Sequence, residues 1–254
     1  MTRQLRMLLF HLRQYMRVGF FVQLMAITTV SMCLTQYLGW HAWGGSTAVP
    51  WLRAGIVGLW TTCTTAAGII GFERYKGTLI YLVSGRIHPL RATAAVVAAA
   101  ATFGLAAFPL AWLAWRGLLW LSGQVPAATG LTVGQLLVGV GLLWLGALAI
   151  SLVIASLFVL TPNAIAYEGL LLVPVFFASG VLFTAGAAPT VVAAIGQVLP
   201  ITPVVGYLLQ PTSTPLAGAA LHSVGLTVVW GLAAAGPGTR ALRLARRRAT
   251  LEMI

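Results

Sequence analysis

From Val18 to Leu38 the chain runs 21 residues without a charged side chain. About 20 helical residues at 1.5 Å each cross a hydrocarbon core of about 30 Å, so this run reads as a membrane span. A secretory signal peptide would have a shorter apolar region ending at a small-residue cleavage site. This run ends in Leu38-Gly39-Trp40-His41 instead, and the segment is expected to stay in the mature protein. Similar runs follow at Ala54–Phe72, from after Arg91 to about Leu113 with a bend expected at Pro109, at Leu131–Leu160, at Ile165–Phe183 around Pro174, and at Leu216–Ala235.

Composition agrees with the runs. Only 7% of the 254 residues are Asp, Glu, Lys or Arg, against about 25% in soluble domains. Too few charges remain to clothe a soluble surface, which excludes a soluble enzyme, a disordered tail and a disulfide scaffold. Cys33 and Cys63 both sit inside apolar runs and read as packing residues.

The basic residues set the topology. Arg3, Arg6, Arg13 and Arg17 precede the first run, and Arg240, Arg243, Arg246, Arg247 and Arg248 follow the last. Cytoplasmic flanks collect Lys and Arg, so both ends are expected inside, which requires an even number of crossings. A seventh apolar stretch, residues 191–209, is interrupted by Gly196, Pro200, Pro203 and Gly206. It is expected to be a re-entrant pair of short helices on the outer side, where surrounding protein satisfies the broken backbone. Six spans then place Arg74, Lys76, Arg86 and Arg91 inside as well, so 13 of the 15 basic residues are cytoplasmic. Six of the nine tryptophans (Trp40, Trp43, Trp51, Trp112, Trp115 and Trp120) fall at outer ends, as interfacial aromatics do. A net charge of +12 is explained by this pattern, and no nucleic acid is expected as a partner.

The expected fold is therefore an all-α membrane protein forming one transmembrane domain over residues 1–254. Residues 1–17 form an interfacial helix with Leu5, Leu8, Leu9, Leu12 and Met16 on one face and the arginines on a neighbouring one, resting on membrane lipids. Residues 236–254, set off by Gly236-Pro237-Gly238, form a basic cytoplasmic tail.

Chemistry is scarce. Lys76, the one lysine, is in no phosphate-binding glycine loop, and the chain has no Asp to hold Mg²⁺. His11, His41, His88 and His222 are scattered with no metal-ligand spacing. Neither a metal site nor a cofactor is expected, and the chain is not expected to be an enzyme. Glu168 is the one acidic residue inside an expected span, either a gating carboxylate or a snorkelling group paired with a nearby arginine. Thr61 and Thr65 share a helical face, where their hydroxyls either bond back to the helix or line a cavity.

The segment from Phe72 to Arg91 is too polar to span. Leu79, Leu82, Val83 and Ile87 recur at helical spacing, Thr78 can cap the start, and Gly85 with Pro89 can end it, giving a short helix over residues 76–87 across the inner mouth. Glu73-Arg74-Tyr75-Lys76 followed by Gly77-Thr78-Leu79 and this helix resembles the coupling segment of the ABC-2 type transporter permeases. Ser179-Gly180-Val181-Leu182-Phe183, followed by Leu199-Pro200-Ile201-Thr202-Pro203, is similar to that family's Ser-Gly stretch and outer re-entrant turn. Thr184 departs from the family's usual proline after the Phe, and Gly85-Arg86-Ile87 departs from its Ser-Pro turn.

The resemblance implies the permease subunit of an ATP-driven exporter. Two such chains, identical or related, would pair, and each would seat its inner helix on a separate ATPase subunit carrying ATP and Mg²⁺. Glu73, Gly77, Thr78, Leu79, Leu82 and Val83 would then couple to that ATPase, and Thr61, Thr65 and Phe72 would line the cargo cavity. The cargo would be hydrophobic or amphipathic: a drug-like natural product, a peptide or a lipid. Fourteen arginines to one lysine with heavy Ala and Gly usage points to a GC-rich bacterial genome, hence the cytoplasmic membrane of a bacterium. The alternatives are a non-catalytic membrane scaffold or sensor, and a membrane-embedded lipid-modifying enzyme.

Overall fold

The computed structural model describes residues 3–75, 89–158, 173–182 and 188–247, and all regular structure among them is helical. In chain order the helices are α1 (Arg3–Arg17), α2 (Gly19–Trp43), α3 (Pro50–Tyr75), α4 (Pro89–Gly104), α5 (Ala107–Leu121), α6 (Val133–Phe158), α7 (Thr190–Gln197), α8 (Thr202–Leu209) and α9 (Leu216–Arg247). Four stretches among the described residues are long and apolar enough to cross a membrane: α2, α4 and α5 taken together, α6, and α9 up to Gly236. Helix α3 is as long as α6, at 26 residues each, but the side chains of its last turns lie outside the described residues.

Helix α3 is the hub, packed by α2, α4, α5 and α6. In lipid there is no hydrophobic drive between helices, so close packing at small residues has to hold them together. Two helices supply those residues. Gly58 of α3 lies so close to Thr29 of α2 and Ala107 of α5 that a methyl group there would overlap the threonine hydroxyl. Buried Ala95, Ala99, Ala100 and Ala101 of α4 likewise keep side-chain bulk out of the helix contacts.

The expected bend at Pro109 occurs at Leu105–Ala106, between α4 and α5. Proline has no N–H for the residue four places earlier. The Leu105 carbonyl accepts from Phe108 instead, at 3.2 Å, and Leu105 and Ala106 make tight bonds back to Thr102 and Phe103. Beyond the bend the helix runs on to Leu121 rather than stopping near Leu113. Helix α9 also differs from expectation, continuing for 32 residues through Gly236-Pro237-Gly238. Ser156 Oγ of α6, bonded to the Leu152 carbonyl at 2.8 Å, also lies 3.4 Å from the Ala234 carbonyl and so links α6 to α9.

Helix α1 packs along α4, with Leu8, Leu12 and Tyr15 set against Val96, Ala99, Ala100 and Phe103. The docked stripe is thus 8, 12 and 15 at helical spacing, with Tyr15 buried. Leu5 and Met16 of the expected lipid face are exposed, as is Phe10 on the arginine side. Tyr15 meets Phe21 edge-on at 4.6 Å and stacks on Phe103 at 6.3 Å, an aromatic knot where α1 turns into α2 through extended Val18.

The tryptophan ring at the other end is not purely interfacial. Trp43 and Trp120 are 87% and 80% exposed, but Trp115 is 1% exposed. Its indole N–H donates at 3.0 Å to the Thr47 carbonyl, and the Thr47 hydroxyl accepts from the Ala127 N–H at 3.0 Å. Thr47 therefore ties the α2–α3 loop both to α5, through Trp115, and to the α5–α6 loop, through Ala127.

Candidate functional site

The stretch 191–209 folds as α7 and α8, which meet at 108° around residues 198–201. Pro200 and Pro203 interrupt helical bonding there, and the bend prevents one straight crossing. Helix α8 then rises along α6 toward the loop end. A Cβ on Gly146 would sit 3.1 Å from Ile201, and one on Gly139, two turns nearer the start of α6, 2.7 Å from Leu208. The corner thus reaches about 20 Å below the first residue of α6, using 1.5 Å per residue over 13 residues.

A corner that deep must find partners for its carbonyls, and α9 provides two. Ser223 Oγ donates to the Pro200 carbonyl at 2.8 Å, and Trp230 Nε1 donates to the Val198 carbonyl at 2.8 Å. Seven residues apart, the two donors share one face of α9. Gly196 completes the seat, because a side chain there would meet the Ala178 carbonyl. The helix at 173–178 ends at that point: Ser179 N–H bonds to Val175 at 2.9 Å and Gly180 turns with φ +80°. The fifth apolar run therefore leaves helical form at Ser179-Gly180, ahead of the expected Phe183, because the left-handed Gly180 closes the helix.

Between this corner and α3 lies a cavity of about 10 Å³ lined by Trp60, Leu143, Phe176 and Ser179 among others, room for about one water. Four buried polar atoms nearby have no hydrogen-bond partner: Trp144 Nε1 and Ser151 Oγ on α6, and Thr202 Oγ1 and Tyr207 OH on α8.

Helix α3 keeps one accessible row, in which Arg53, Val57, Thr61 and Thr65 at four-residue spacing are all half-buried while the residues between them are mostly buried. Thr61 Oγ1 donates to the Val57 carbonyl at 3.0 Å and Thr65 Oγ1 to the Thr61 carbonyl at 2.9 Å. Of the two fates open to these hydroxyls, bonding back to the helix is the one observed. The row therefore presents methyl groups, an apolar wall made from nominally polar residues. At its loop end Arg53 has a buried Nε with no partner among the described residues.

Phe72 and Glu73 lie in the last turn of α3, and their side chains are outside the described residues. Gly77, Thr78, Leu79, Leu82, Val83 and the expected 76–87 helix are outside them too, as is Glu168. Among the described residues no group of three His, Cys, Asp or Glu could hold a metal ion. Compared with protein-family models, curated proteins and solved structures, the chain finds no match.

Proposed function

We propose that this chain is the membrane-spanning subunit of an ATP-driven ABC-2 type exporter, crossing a bacterial cytoplasmic membrane six times with both ends inside. Two such chains would face each other across the Arg53–Val57–Thr61–Thr65 row of α3. A separate ATPase would bind the Glu73–Val83 segment and drive the alternation between inward and outward access. Nucleotide can shift that equilibrium only by favouring one state over the other, so the ATPase would have to hold the inner segment differently in the two states.

The observation that carries this reading is the α7–α8 corner, bent by 108° and wedged between α6 and α9 after the Ser179-Gly180 turn, in the chain order that the resemblance implies. The nearly filled space beside it supports a closed outer end in this state. The apolar α3 row supports a hydrophobic or amphipathic cargo.

Affinity purification of the full chain from its host tests the proposal. The expected result is co-isolation of an ATPase whose turnover collapses when Leu79→Asp and Val83→Asp are introduced together. Unaltered turnover would overturn it and leave the scaffold reading, and lipid chemistry by the chain alone would favour the enzyme.

A further inference from the structure

Among the described residues Arg53 has no carboxylate partner. Its Nε is buried and makes no hydrogen bond, whereas the exposed Arg116 guanidinium lies 4.8 Å over the Trp112 ring, a favourable cation–π arrangement. Position makes matters worse for Arg53. It lies in the first turn of α3, whose amide end is already positive. The chain has three carboxylate side chains in all. Glu73 is on the same helix 20 residues away, about 30 Å at 1.5 Å per residue. Arg53 as a whole is half-buried, so its buried Nε–H goes unsatisfied while the rest of the guanidinium stays accessible to a ligand, and its planar fork suits the oxygens of a phosphate or carboxylate. Directly along the helix from it, Val57, Thr61 and Thr65 form a row in which both threonine hydroxyls are bonded to the helix's own carbonyls.

We infer that Arg53 and the Val57–Thr61–Thr65 row together bind an amphiphile with an anionic head, the head on the Arg53 guanidinium and the hydrocarbon tail along the row. This deepens the exporter reading and rests on it where cargo is concerned, since the same row faces the proposed cargo path. The anion can come from a resident two-tailed lipid or from a single-tailed amphiphile in transit, and the recognition chemistry is shared.

The test uses the purified full chain in a neutral detergent, titrated with dodecyl phosphate or with phosphatidylglycerol and read by native mass spectrometry. Phosphatidylcholine and inorganic phosphate serve as controls. Arg53→Gln is expected to weaken binding of the anionic amphiphile about tenfold or more, the usual weight of a charge-assisted hydrogen bond. Arg53→Lys should retain part of it, Thr61→Trp should block the tail, and Arg116→Gln should bind as wild type does. Tighter Arg53-dependent binding of dodecyl phosphate identifies a single-tailed ligand, and tighter Arg53-dependent binding of phosphatidylglycerol a resident lipid; both support the site. Wild-type binding by Arg53→Gln, indifference to Thr61→Trp, or equal competition by inorganic phosphate would each overturn it. A matching melting temperature certifies each variant as folded, and Arg53→Lys decides the matter if Arg53→Gln melts early. No ATPase is present, and the Leu79→Asp, Val83→Asp chain should bind normally. Loss of the site with coupling intact therefore refutes this inference alone, and loss of coupling with binding intact refutes the exporter reading.

Discussion

Ser223 Oγ, in the second turn of α9, donates a 2.8 Å hydrogen bond to the carbonyl of Pro200 at the corner between α7 and α8. Two turns further along α9, Trp230 Nε1 does the same for the carbonyl of Val198. The corner is thus held from one side by one helix, through backbone groups that its prolines and its bend leave without helical partners. Its geometry depends on α9 as much as on its own sequence.

Removing the Ser223 donor strands a buried carbonyl. Ser223→Ala is expected to destabilise the protein by about 1–3 kcal/mol, the cost of a buried polar group left without its partner. Trp230→Phe, at a bond on the exposed side of the corner, should cost less, about 0.5–1.5 kcal/mol, while keeping most of the packing. Thermal unfolding in detergent measures both. Because the two bonds secure one rigid corner, the double variant should cost less than the sum of the singles, a non-additivity read directly from a double-mutant cycle.

Gly196 and Gly225 give a matched pair. A methyl group on Gly196 meets the Ala178 carbonyl, a backbone atom that cannot rotate away, whereas one on Gly225 meets nothing within 4 Å. Gly196→Ala should therefore lower the melting temperature and the yield of folded protein, in the range of about 1–3 kcal/mol typical of overpacking. Gly225→Ala should be neutral or slightly stabilising, since alanine favours the helix. Equal behaviour of the two variants would show that α7 does not pack against the Ser179 turn as described.

The helices were legible in the sequence because each needs about twenty apolar residues, and Val18–Leu38, Leu131–Leu160 and Leu216–Ala235 announce themselves by length alone. The Pro-broken 191–209 stretch was legible too, since Pro200 and Pro203 forbid a straight helix. Which face of each helix meets protein was not. A pattern of apolar residues selects Met16 and not Tyr15, because the tyrosine hydroxyl masks an aromatic ring that packs against Phe103. Tryptophan is common at the interface, and only the fold reveals that Thr47 lies within reach of the Trp115 N–H. For Thr61 and Thr65, composition could state the alternatives but not choose between them. Arg53 carried no motif at all. Its lack of a partner is a property of three-dimensional packing, and no spacing rule encodes it.

The docking of α1 on α4 predicts an asymmetry between neighbouring aromatics. Tyr15 is buried between Phe21 and Phe103, whereas Phe10 is 65% exposed. Tyr15→Ala should cost about 3 kcal/mol or more, as large-to-small changes in packed aromatic sites do, and should free α1 for proteolysis near Val18. Phe10→Ala should leave stability unchanged and at most weaken association with anionic vesicles, where an aromatic ring among arginines contributes by insertion. Limited proteolysis with and without vesicles separates the two effects.

The arrangement of loops makes a sidedness prediction that needs no engineered background. Cys33 and Cys63 are both fully buried, so a membrane-impermeant maleimide should leave the wild-type protein unlabelled in intact cells. Gln124, in the α5–α6 loop, and Thr212, in the α8–α9 loop, are both exposed at the end of the bundle where α6 and α9 begin, whereas Arg13 is exposed on α1. Gln124→Cys and Thr212→Cys should both react from outside, and Arg13→Cys only after the membrane is opened. The positive-inside rule assigns the arginine side to the cytoplasm, and the shared end of α6 and α9 requires the first two positions to behave alike. Labelling of Gln124→Cys and Thr212→Cys from opposite sides would mean that the α7–α8 pair traverses the bilayer, giving an odd number of crossings and separating the two ends of the chain.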